Sequence, residues 1–489
     1  MTLKNVALDD KYTLDSGKLY MTGNQALVRL PLLQKQRDVA AGLHTAGYIS
    51  GYRGSPIGTY DMELGRAKHH LQENDIVFQP GINEDLAATA VWGTQQLEAE
   101  DDRKYDGVFA IWYGKGPGVF RSGDAIKHGS FYGASPHGGV LLIPGDDHTA
   151  KSSTIAHFSD PEMIAHGSPI LYPSTIQEVI DYGLIGWALS RYSGAWVTLK
   201  VVNETIEGTG TVDLDLSRSE TRDPEGLEVP AEAHFVPPSG GLGPAVTAER
   251  MAYSGRVPLV KAFARLNRLD RCTIEAPAGK LGIVASGKAH QDVLRALQLL
   301  GIDRDRAANL GISLYKVAMP WPLEGESFGE FAAGQEEILV IEEKLPLMEQ
   351  QITQLLFNWP ADKRPRVIGK LDDQGNPLQN SHGAVDPNYL MTIIGSRLAA
   401  NSLLDADVEA AIERNQARLT GSCGAVIAEV VRVPYFCSGC PHNRSTKVPE
   451  GSRALGGIGC HGMASFMNRN TSFPTQMGGE GHNWVGLSH

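Results

Sequence analysis

The chain has 489 residues, of which 42% are hydrophobic and 20% charged, and this balance excludes a largely disordered protein. Lys and Arg number 44 against 56 Asp and Glu, so the net charge of -12 excludes the basic field typical of nucleic-acid binding. No run of about 18 apolar residues is present, which argues against a membrane span. The first residues lack the apolar core of a signal peptide, and we expect a cytoplasmic protein of about three domains.

The first 235 residues alternate short apolar runs with longer amphipathic stretches. Buried strands are predicted for GVFAIWYG (107–114), GGVLLIPGDD (138–147) and AWVTLKVV (195–202). A helix is predicted for QEVIDYGLIGWALSRY (177–192), with Ser174 and Thr175 as candidate caps. This alternation predicts an α/β domain over 1–235, built on a doubly wound parallel sheet that is covered on both faces.

A second α/β domain is predicted over 276–425, after a linker over 236–275. The linker is inferred from a stretch rich in Pro, Gly and charge, which covers 222–250. The predicted strands are KLGIVASG (280–287), GISLYKVAMPWP (311–322) and EEILVIEE (336–343), and the predicted helices are 288–301, 345–357 and 405–419. The residues from 360 onward begin as a polar loop. A third unit, which contains a group of cysteines, is predicted over 426–489.

Three of the five cysteines form the sharpest local pattern. Cys437 and Cys440 are separated by two residues in a Gly-containing turn, and Cys460 follows twenty residues later. A Cys-x-x-Cys turn points both sulfurs in one direction, so the pattern predicts a metal centre, with His442 and His461 as further candidate ligands for zinc. The residues alone leave open zinc, an iron–sulfur cluster with a fourth ligand outside this chain, and an ordinary pair of buried thiols. A disulfide framework is not expected in a chain with an odd number of cysteines and no signal peptide.

A second pattern joins the turn GYRGSP (51–56) to the segment INEDLAATAVWG (82–93). Gly54 allows a ligand to approach the backbone, and Ser55 offers a hydroxyl beside it. Glu84 opens an otherwise apolar helix, where an acid either complements the helix dipole or, if buried, acquires a raised pKa and exchanges protons near neutral pH.

A third pattern is the glycine-rich segment YGKGPGVFRSGDAIKHG (113–129), which matches neither the P-loop nor the dinucleotide fingerprint. Arg121 is a candidate clamp for a carboxylate, because a guanidinium binds a carboxylate through two parallel hydrogen bonds. The alternative is a solvated loop arginine. Weaker pocket candidates follow the predicted strand 138–147, where α/β proteins place ligands: they are Asp146, Asp147 and Ser153.

These patterns, in this order, resemble the 2-oxoacid:ferredoxin oxidoreductases, and most closely the indolepyruvate ferredoxin oxidoreductase branch. The family's Tyr-Pro-Gly-Thr-Pro turn corresponds to Tyr52–Pro56, and its Asn-Glu pair corresponds to Asn83 and Glu84. KGPGVFRSGDAIKH (115–128) is similar to the long single-chain members, and CSGCPH together with GIGC resembles the opening of the diphosphate-binding domain. The resemblance extends from residue 23 to the last residue.

The resemblance implies thiamine-enzyme-like doubly wound sheets in several domains. It assigns a pyrimidine-binding domain to 1–235, a transketolase C-terminal-like domain to 276–425 and the start of a diphosphate-binding domain to 426–489. It also implies thiamine diphosphate, Mg²⁺ and a [4Fe-4S] cluster as cofactors, with coenzyme A as co-substrate. The roles that it implies are catalysis by Glu84, cofactor binding by Gly54, Asn83, Glu84, His442 and Gly459, substrate binding by Ser55 and Arg121, and cluster ligation by Cys437, Cys440 and Cys460.

The activity implied by the resemblance is the oxidative decarboxylation of a 2-oxoacid to acyl-CoA and CO2, with electrons passed through the cluster to ferredoxin. An aryl pyruvate such as indolepyruvate or phenylpyruvate is the expected substrate, and branched-chain 2-oxoacids are the alternative. Glu84 would hydrogen-bond the pyrimidine and favour the tautomer that takes a proton from the thiazolium ring. A homo- or hetero-oligomer is expected, because thiamine enzymes build their sites between domains.

The sequence departs from the family in several places. Arg53 replaces a proline and Ser55 replaces a threonine in the first turn. The Gly-Asp-Gly…Asn signature that binds Mg²⁺ and diphosphate, the fourth cluster cysteine and the ferredoxin-like repeat of some relatives are all missing from the sequence. These departures predict that the chain is the N-terminal portion of a longer enzyme, inactive without the rest or without a second subunit.

Two alternatives use the same residues differently. A non-oxidative thiamine diphosphate-dependent decarboxylase or carboligase would use Glu84 in the same way and bind zinc with the cysteines. A non-catalytic scaffold subunit would keep the fold alone.

Overall fold

Two mostly parallel β-sheets, each covered by helices on both faces, make up most of the protein. The computed structural model describes residues 6–235, 243–423, 433–472 and 475–488. The chain divides into two compact units, of which the larger comprises Met1–Ser152 with Ala156–Glu413 and the smaller comprises Ser153–Ile155 with Arg414–His489. Within the described ranges, no helix has both the length and the apolar character needed to cross a membrane.

The first sheet lies in the N-terminal half of the larger unit. The strands described between residues 6 and 235 are β1 (Lys18–Thr22), β2 (Thr45–Gly51), β3 (Ile76–Phe78), β4 (Gly107–Lys115), β5 (Val140–Asp146), β6 (Ile170–Leu171), β7 (Trp196–Leu199), β8 (Val201–Val202) and β9 (Thr209–Asp213). Seven of them form a parallel sheet in the order β3-β2-β4-β5-β7-β6, with β8 paired to β5. β1 and β9 form a separate antiparallel pair.

Helices cover both faces of this sheet. They are α1 (Asp10–Thr13), α2 (Gly23–Ala40), α3 (Gly58–Arg66), α4 (Lys68–Glu73), α5 (Glu84–Thr94), α6 (Gly116–Arg121), α7 (Gly123–Tyr132), α8 (Asp160–Ala165), α9 (Ile176–Ser193) and α10 (Asn203–Ile206). Along β4, Phe109, Ile111 and Tyr113 pack into the core shared with α2 and α9, whereas Ala110 and Trp112 pack into the core shared with α5 and α7. Both faces of the strand are therefore apolar, which is why its sequence is an unbroken hydrophobic run.

A second sheet follows in the same unit. Its strands are β10 (Arg271–Ile274), β11 (Gly279–Ser286), β12 (Ile312–Val317), β13 (Gln335–Ile341) and β14 (Arg366–Ile368), in the order β10-β12-β11-β13-β14. All pairs are parallel except β10 with β12. The accompanying helices are α11 (Gly243–Arg250), α12 (Arg256–Leu266), α13 (Gly287–Leu299), α14 (Arg304–Leu310), α15 (Gly325–Ala332), α16 (Leu347–Leu356), α17 (Pro387–Ala400) and α18 (Ala406–Cys423).

Apart from the end of α18, the smaller unit contains only short elements among its described residues. They are α19 (His442–Ser445), α20 (Asn483–Leu487) and a parallel pair of two-residue strands, β15 (Ala454–Leu455) and β16 (Thr471–Ser472). A 3-10 turn covers Gly459–Phe466.

The predicted fold class is confirmed: the chain is an α/β protein with doubly wound parallel sheets. The helix predicted over 177–192 is α9, and Thr175 caps it by accepting a hydrogen bond from the backbone N–H of Glu178 at 3.2 Å. α14, α15 and α17 were not predicted, and α17 lies where the polar sequence that begins at residue 360 indicated a loop. Its start carries a recognisable signal, because Asp386 caps the helix and Pro387 is its first residue.

The stretch predicted as a linker, 236–275, contains α11, α12 and β10 in its described part. The Pro- and Gly-rich composition that indicated a linker ends near residue 250. Beyond it, Leu259, Val260 and Phe263 on one side of α12 are buried in the core of the first sheet, and the Phe263 ring stacks on Tyr192 of α9 at 5.7 Å. The amphipathic pattern of α12 therefore outweighs the composition of the residues before it.

Direct contacts join the two sheet domains inside the larger unit. The backbone N–H of Ile170 in β6 donates to Trp321 O at 2.7 Å. The Nζ of Lys316 in β12 donates to Ser174 Oγ at 2.7 Å and also forms an ion pair with the Glu178 carboxylate. Ser174 and Glu178, at the start of α9, thus contact the second domain through Lys316.

We predict that Asp270, just before β10, makes the stability of the larger unit depend on pH. Its Oδ1 accepts hydrogen bonds from the backbone of Ala318 and Met319, but its buried Oδ2 has no partner among the described residues. Burial raises the pKa of Asp270 to about 7. Between the ordinary value of about 4 and this value, the folded state keeps a proton that the unfolded state releases, so stability falls with rising pH by about 1.4 kcal/mol per unit.

The test is Asp270→Asn, which keeps the Oδ1 acceptor and cannot ionise. The melting temperature of this variant should rise relative to that of the wild type as the pH is raised from 5 to 8. Asp362→Asn, at an exposed position, is the control and should show no such trend. Parallel profiles for Asp270→Asn and the wild type would contradict the prediction.

Candidate active site

The candidate site lies at the carboxyl ends of β2 and β4. The chain passes from β2 to β3 on one side and then starts again at β4 on the other, so the gap between β2 and β4 is the switch point of the first sheet. Ligands of open parallel sheets bind in the crevice at such a point. The turn after β2 contacts the end of β4 there, because a Cβ on Gly54 would lie 3.0 Å from Lys115 Cβ.

Glu84 is the first residue of α5, and 6% of its surface is exposed. Asn83 caps the helix: its side-chain oxygen accepts a hydrogen bond from the Leu86 N–H at 2.9 Å. The Trp112 Nε1–H, from β4, donates to the Glu84 carbonyl oxygen at 3.1 Å. The start of α5 is thus held from both sides, by its own cap and by the strand that it packs against.

Glycines allow the backbone to approach this corner closely. A Cβ on Gly81 would lie 2.7 Å from Asn83 O and 2.8 Å from Ala87 Cβ. A Cβ on Gly118, in α6, would lie 2.6 Å from Glu84 Cγ and 2.7 Å from its Oε1. The carboxyl group is therefore packed directly against the main chain of α6.

Ser55 and Arg121, the predicted substrate-binding residues, each have an acidic partner. The Ser55 hydroxyl donates to Glu207 Oε1 at 3.5 Å. Arg121 ends α6 with its Nε 3.8 Å from Asp85 Oδ2, and half of its side chain is exposed. Arg121 is thus linked to the residue that follows Glu84, at the same end of α5.

The weaker candidates Asp146 and Asp147 are fully buried, and their side chains bond to the loop that follows β5. Asp146 accepts hydrogen bonds from the backbone N–H of Ser159 at 2.9 Å and from its hydroxyl at 2.6 Å. Asp147 accepts from the backbone of Lys151 and Ser152 at 2.9 and 2.8 Å. Both carboxylates therefore shape the loop. Ser153 belongs to the short segment grouped with the smaller unit.

A buried ionic network at the carboxyl edges of both sheets was not predicted from the sequence. Lys200 Nζ lies 2.6 Å from Asp160 Oδ1, and it lies 4.6 Å and 4.7 Å from the ring centres of Phe158 and Tyr172. These four residues line a cavity of about 30 Å³, a volume sufficient for one or two water molecules. The sequence did not indicate this network, because a single lysine after a strand is common and does not by itself predict a site.

The same network joins the two domains through His148 and Glu343. Their side chains meet at 2.7 Å, between Nδ1 and Oε2, and both are buried. Burial opposes ionisation of Glu343, but the hydrogen bond and charge of His148, together with Lys288 and Lys200, lower its pKa to about 2. Glu343 is therefore a carboxylate throughout the physiological range.

The predicted metal ligands lie in the smaller unit as free thiols. Cys437 and Cys460 are exposed, Cys440 is half-buried, and the Cys440 backbone N–H donates to Cys437 O at 3.0 Å. Cys440 Sγ lies 3.3 Å from His442 Nδ1, and the rings of His442 and His461 are stacked at 6.2 Å. Across the described ranges, no three or more His, Cys, Asp or Glu side chains converge as a ligand set for a metal ion.

Gly459, predicted to bind cofactor, opens the 3-10 turn that carries Cys460. Its φ of +73° lies in the left-handed region, and a Cβ there would meet no atom within 4 Å. Backbone conformation therefore accounts for this glycine.

Comparison with known proteins finds sequence similarity to indolepyruvate oxidoreductases. The sequence model of the indolepyruvate oxidoreductase domain matches residues 271–420. Indolepyruvate oxidoreductase subunit IorA of Methanothermobacter marburgensis is 26% identical over 376 residues, which cover 75% of this chain and 53% of that protein. The subunit of the same name from Methanothermobacter thermautotrophicus is 24% identical over 433 residues, which cover 88% of this chain and 59% of that protein. Over most of its length, the chain is therefore similar to the indolepyruvate oxidoreductase subunits IorA.

A solved structure of low sequence identity has a similar fold. The 2-oxoglutarate:ferredoxin oxidoreductase of Magnetococcus marinus superposes with a TM-score of 0.53 at 15% identity, over 79% of this chain and 65% of that chain. The chain spans between half and three fifths of the length of the IorA relatives named above.

We predict that loss of the Asn83 cap loosens the start of α5. Asn83→Ala leaves the Leu86 N–H without its acceptor, and a lost cap of this kind costs about 1 kcal/mol. Hydrogen exchange of the Leu86 amide should therefore become about fivefold faster. Asn83→Asp keeps the acceptor and should exchange like the wild type. Equal rates in Asn83→Ala and the wild type would show that the cap does not hold this turn.

Proposed function

We propose that this chain is the part of a 2-oxoacid:ferredoxin oxidoreductase that binds the aminopyrimidine of thiamine diphosphate. The observation that carries the proposal is the buried carboxyl of Glu84 at the switch point of the first sheet. The full reaction would convert an aryl pyruvate such as indolepyruvate into acyl-CoA and CO2, and reduce ferredoxin. The similarity to the IorA subunits supports the reaction class, and the site geometry supports the assignment of aminopyrimidine binding to this chain.

The corner around Glu84 fits a flat aromatic ring that presents an N–H to a carboxylate. The side chain is withdrawn from solvent, and Gly118 brings the main chain of α6 directly against the acid. Asn83 and Trp112 fix the start of the helix. A carboxylate in such a place binds a ring N–H strongly, because no water competes for it.

Different residues of this chain would bind the cofactor and the substrate. Thiamine diphosphate, when bound, supplies the carbon nucleophile and the electron sink that decarboxylation of a 2-oxoacid requires. Glu84 would hold the pyrimidine by accepting a hydrogen bond from it, and its carboxylate would favour the proton-accepting form of that ring. Arg121 and Ser55 would bind the substrate carboxylate, and Arg121 would exchange Asp85 for it as the ion-pair partner.

The thiols of Cys437, Cys440 and Cys460 are proposed as ligands of a [4Fe-4S] cluster. Three free thiols on two segments that meet at the His442–His461 contact are the donor type that such a cluster takes. They do not form a converged ligand set among the described residues, and a fourth ligand has yet to be identified. We therefore assign the cluster no part in the steps above.

The remaining assignments rest on the same proposal. His442 and Gly459 would contact the diphosphate side of thiamine, with Mg²⁺ bound by a segment that this sequence lacks. The Magnetococcus marinus enzyme was solved with coenzyme A and succinyl-CoA bound, and we propose coenzyme A as the acyl acceptor here as well. The IorA relatives are named as subunits, so a second subunit is the expected partner, with ferredoxin as electron acceptor.

We predict that Glu84→Gln lowers turnover of an aryl pyruvate by about 10²- to 10⁴-fold in the purified native assembly, because the pyrimidine loses its proton-holding partner. Glu249→Gln, at an exposed position of α11, is the control and should leave turnover unchanged. Unchanged turnover in Glu84→Gln would favour a scaffold subunit instead.

The cysteine assignment is tested separately by metal analysis. Cys437→Ser, Cys440→Ser and Cys460→Ser should each reduce iron and acid-labile sulfide after anaerobic reconstitution, because serine does not replace a thiolate on iron. Cys272→Ser, in β10, is the matched control and should retain the wild-type content. Stoichiometric zinc without sulfide in the wild type would favour the non-oxidative enzyme, since the Cys440–His442 pair offers a zinc-type donor set.

A further inference from the structure

Gly118 has an unusual set of neighbours. It is the third residue of α6, and it is buried. The three atoms that a Cβ at this position would meet are Glu84 Cγ at 2.6 Å, Glu84 Oε1 at 2.7 Å and Glu84 Cδ at 2.9 Å. One side chain, that of the candidate catalytic acid, therefore occupies the whole space beside this glycine.

Backbone conformation does not account for Gly118. Its φ lies outside the left-handed region, so an L-residue would adopt the same conformation. Glycine is also one of the least favourable residues inside a helix. The space that the missing side chain leaves to the Glu84 carboxyl is what requires a glycine here.

The same helix is closely packed at a second glycine. A Cβ on Gly116 would lie 2.5 Å from His157 Cβ, so α6 is also tightly packed at this position. Gly93, near the end of α5, gives the contrast, because a Cβ there would meet nothing within 4 Å. Other side chains thus pack closely against the α6 glycines, whereas none among the described residues packs against Gly93 in α5.

We propose that Gly118 is a positioning residue that sets where the Glu84 carboxyl meets its ligand. This inference rests on the proposed function of Glu84. A side chain at position 118 would meet the flexible end of Glu84, which turns aside at lower cost than the main chain. We therefore expect the fold to survive the substitution, while the carboxyl leaves the position that suits a pyrimidine N–H.

The first test is thiamine diphosphate binding to the native assembly, followed by near-ultraviolet circular dichroism of the bound cofactor. Gly118→Ala should weaken binding by about ten- to a hundredfold, the loss expected for one charge-assisted hydrogen bond, and should change the dichroism signal. Gly93→Ala should bind like the wild type. In the Glu84→Gln background, Gly118→Ala should cause no further loss, because the two substitutions remove the same interaction.

The second test needs no cofactor. Gly118→Ala should lower the melting temperature by about 2 °C or more in the wild type, because Glu84 must leave its packed conformation. In the Glu84→Ala background, the same substitution should not lower it. If no variant binds thiamine diphosphate, the proposed function fails while this comparison still decides the positioning role. Equal effects of Gly118→Ala in the wild type and in the Glu84 variant background of each test would overturn the inference.

Discussion

The packing of one carboxyl against main chain is the constraint on which the candidate site depends. Glu84 begins α5 at the edge of the first sheet, and burying its side chain is costly unless nearby dipoles stabilise the charge. The N-terminal turn of α5 provides such dipoles. The carboxyl has space beside α6 because Gly118 carries no side chain. The acid, the helix start and this glycine therefore form one structural unit.

The second domain contributes through the carboxyl edge of its own sheet. β11 and β13 end at the switch point of that sheet, and Glu343 follows β13 to meet His148 of the first domain. A buried hydrogen-bonded polar pair contributes little net stability, because desolvation offsets the attraction, but it penalises any other arrangement of the two domains. Lys316 and the start of α9 form a second contact of this kind. The orientation of the domains within the larger unit is thus specified by polar contacts as well as by apolar packing.

The fold was predictable where the residues of a single helix or strand indicate its type by themselves. β4 is an unbroken apolar run, because both of its faces are buried, and α9 has a cap residue followed by an apolar pattern. The prediction failed where neighbouring composition dominated. α12 follows a Pro- and Gly-rich stretch, and α17 follows a polar loop. In both cases the composition of the preceding residues masks the amphipathic or apolar character of the helix. These failures share a cause, since local composition describes a segment and not the surface against which it packs.

The sequence by itself determined the class of the protein: alternating buried strands and helices, the Asn83–Glu84 pair, and the cysteine spacing that carried the family resemblance. Such features are local, because each is contained in a few consecutive residues. Only the tertiary structure decided that Gly118 lies against Glu84, that Arg121 pairs with Asp85, and that Lys200 is buried between two aromatic rings. Those contacts join residues far apart in the chain, and their distances follow from how helices pack on a sheet, which no short stretch of sequence encodes.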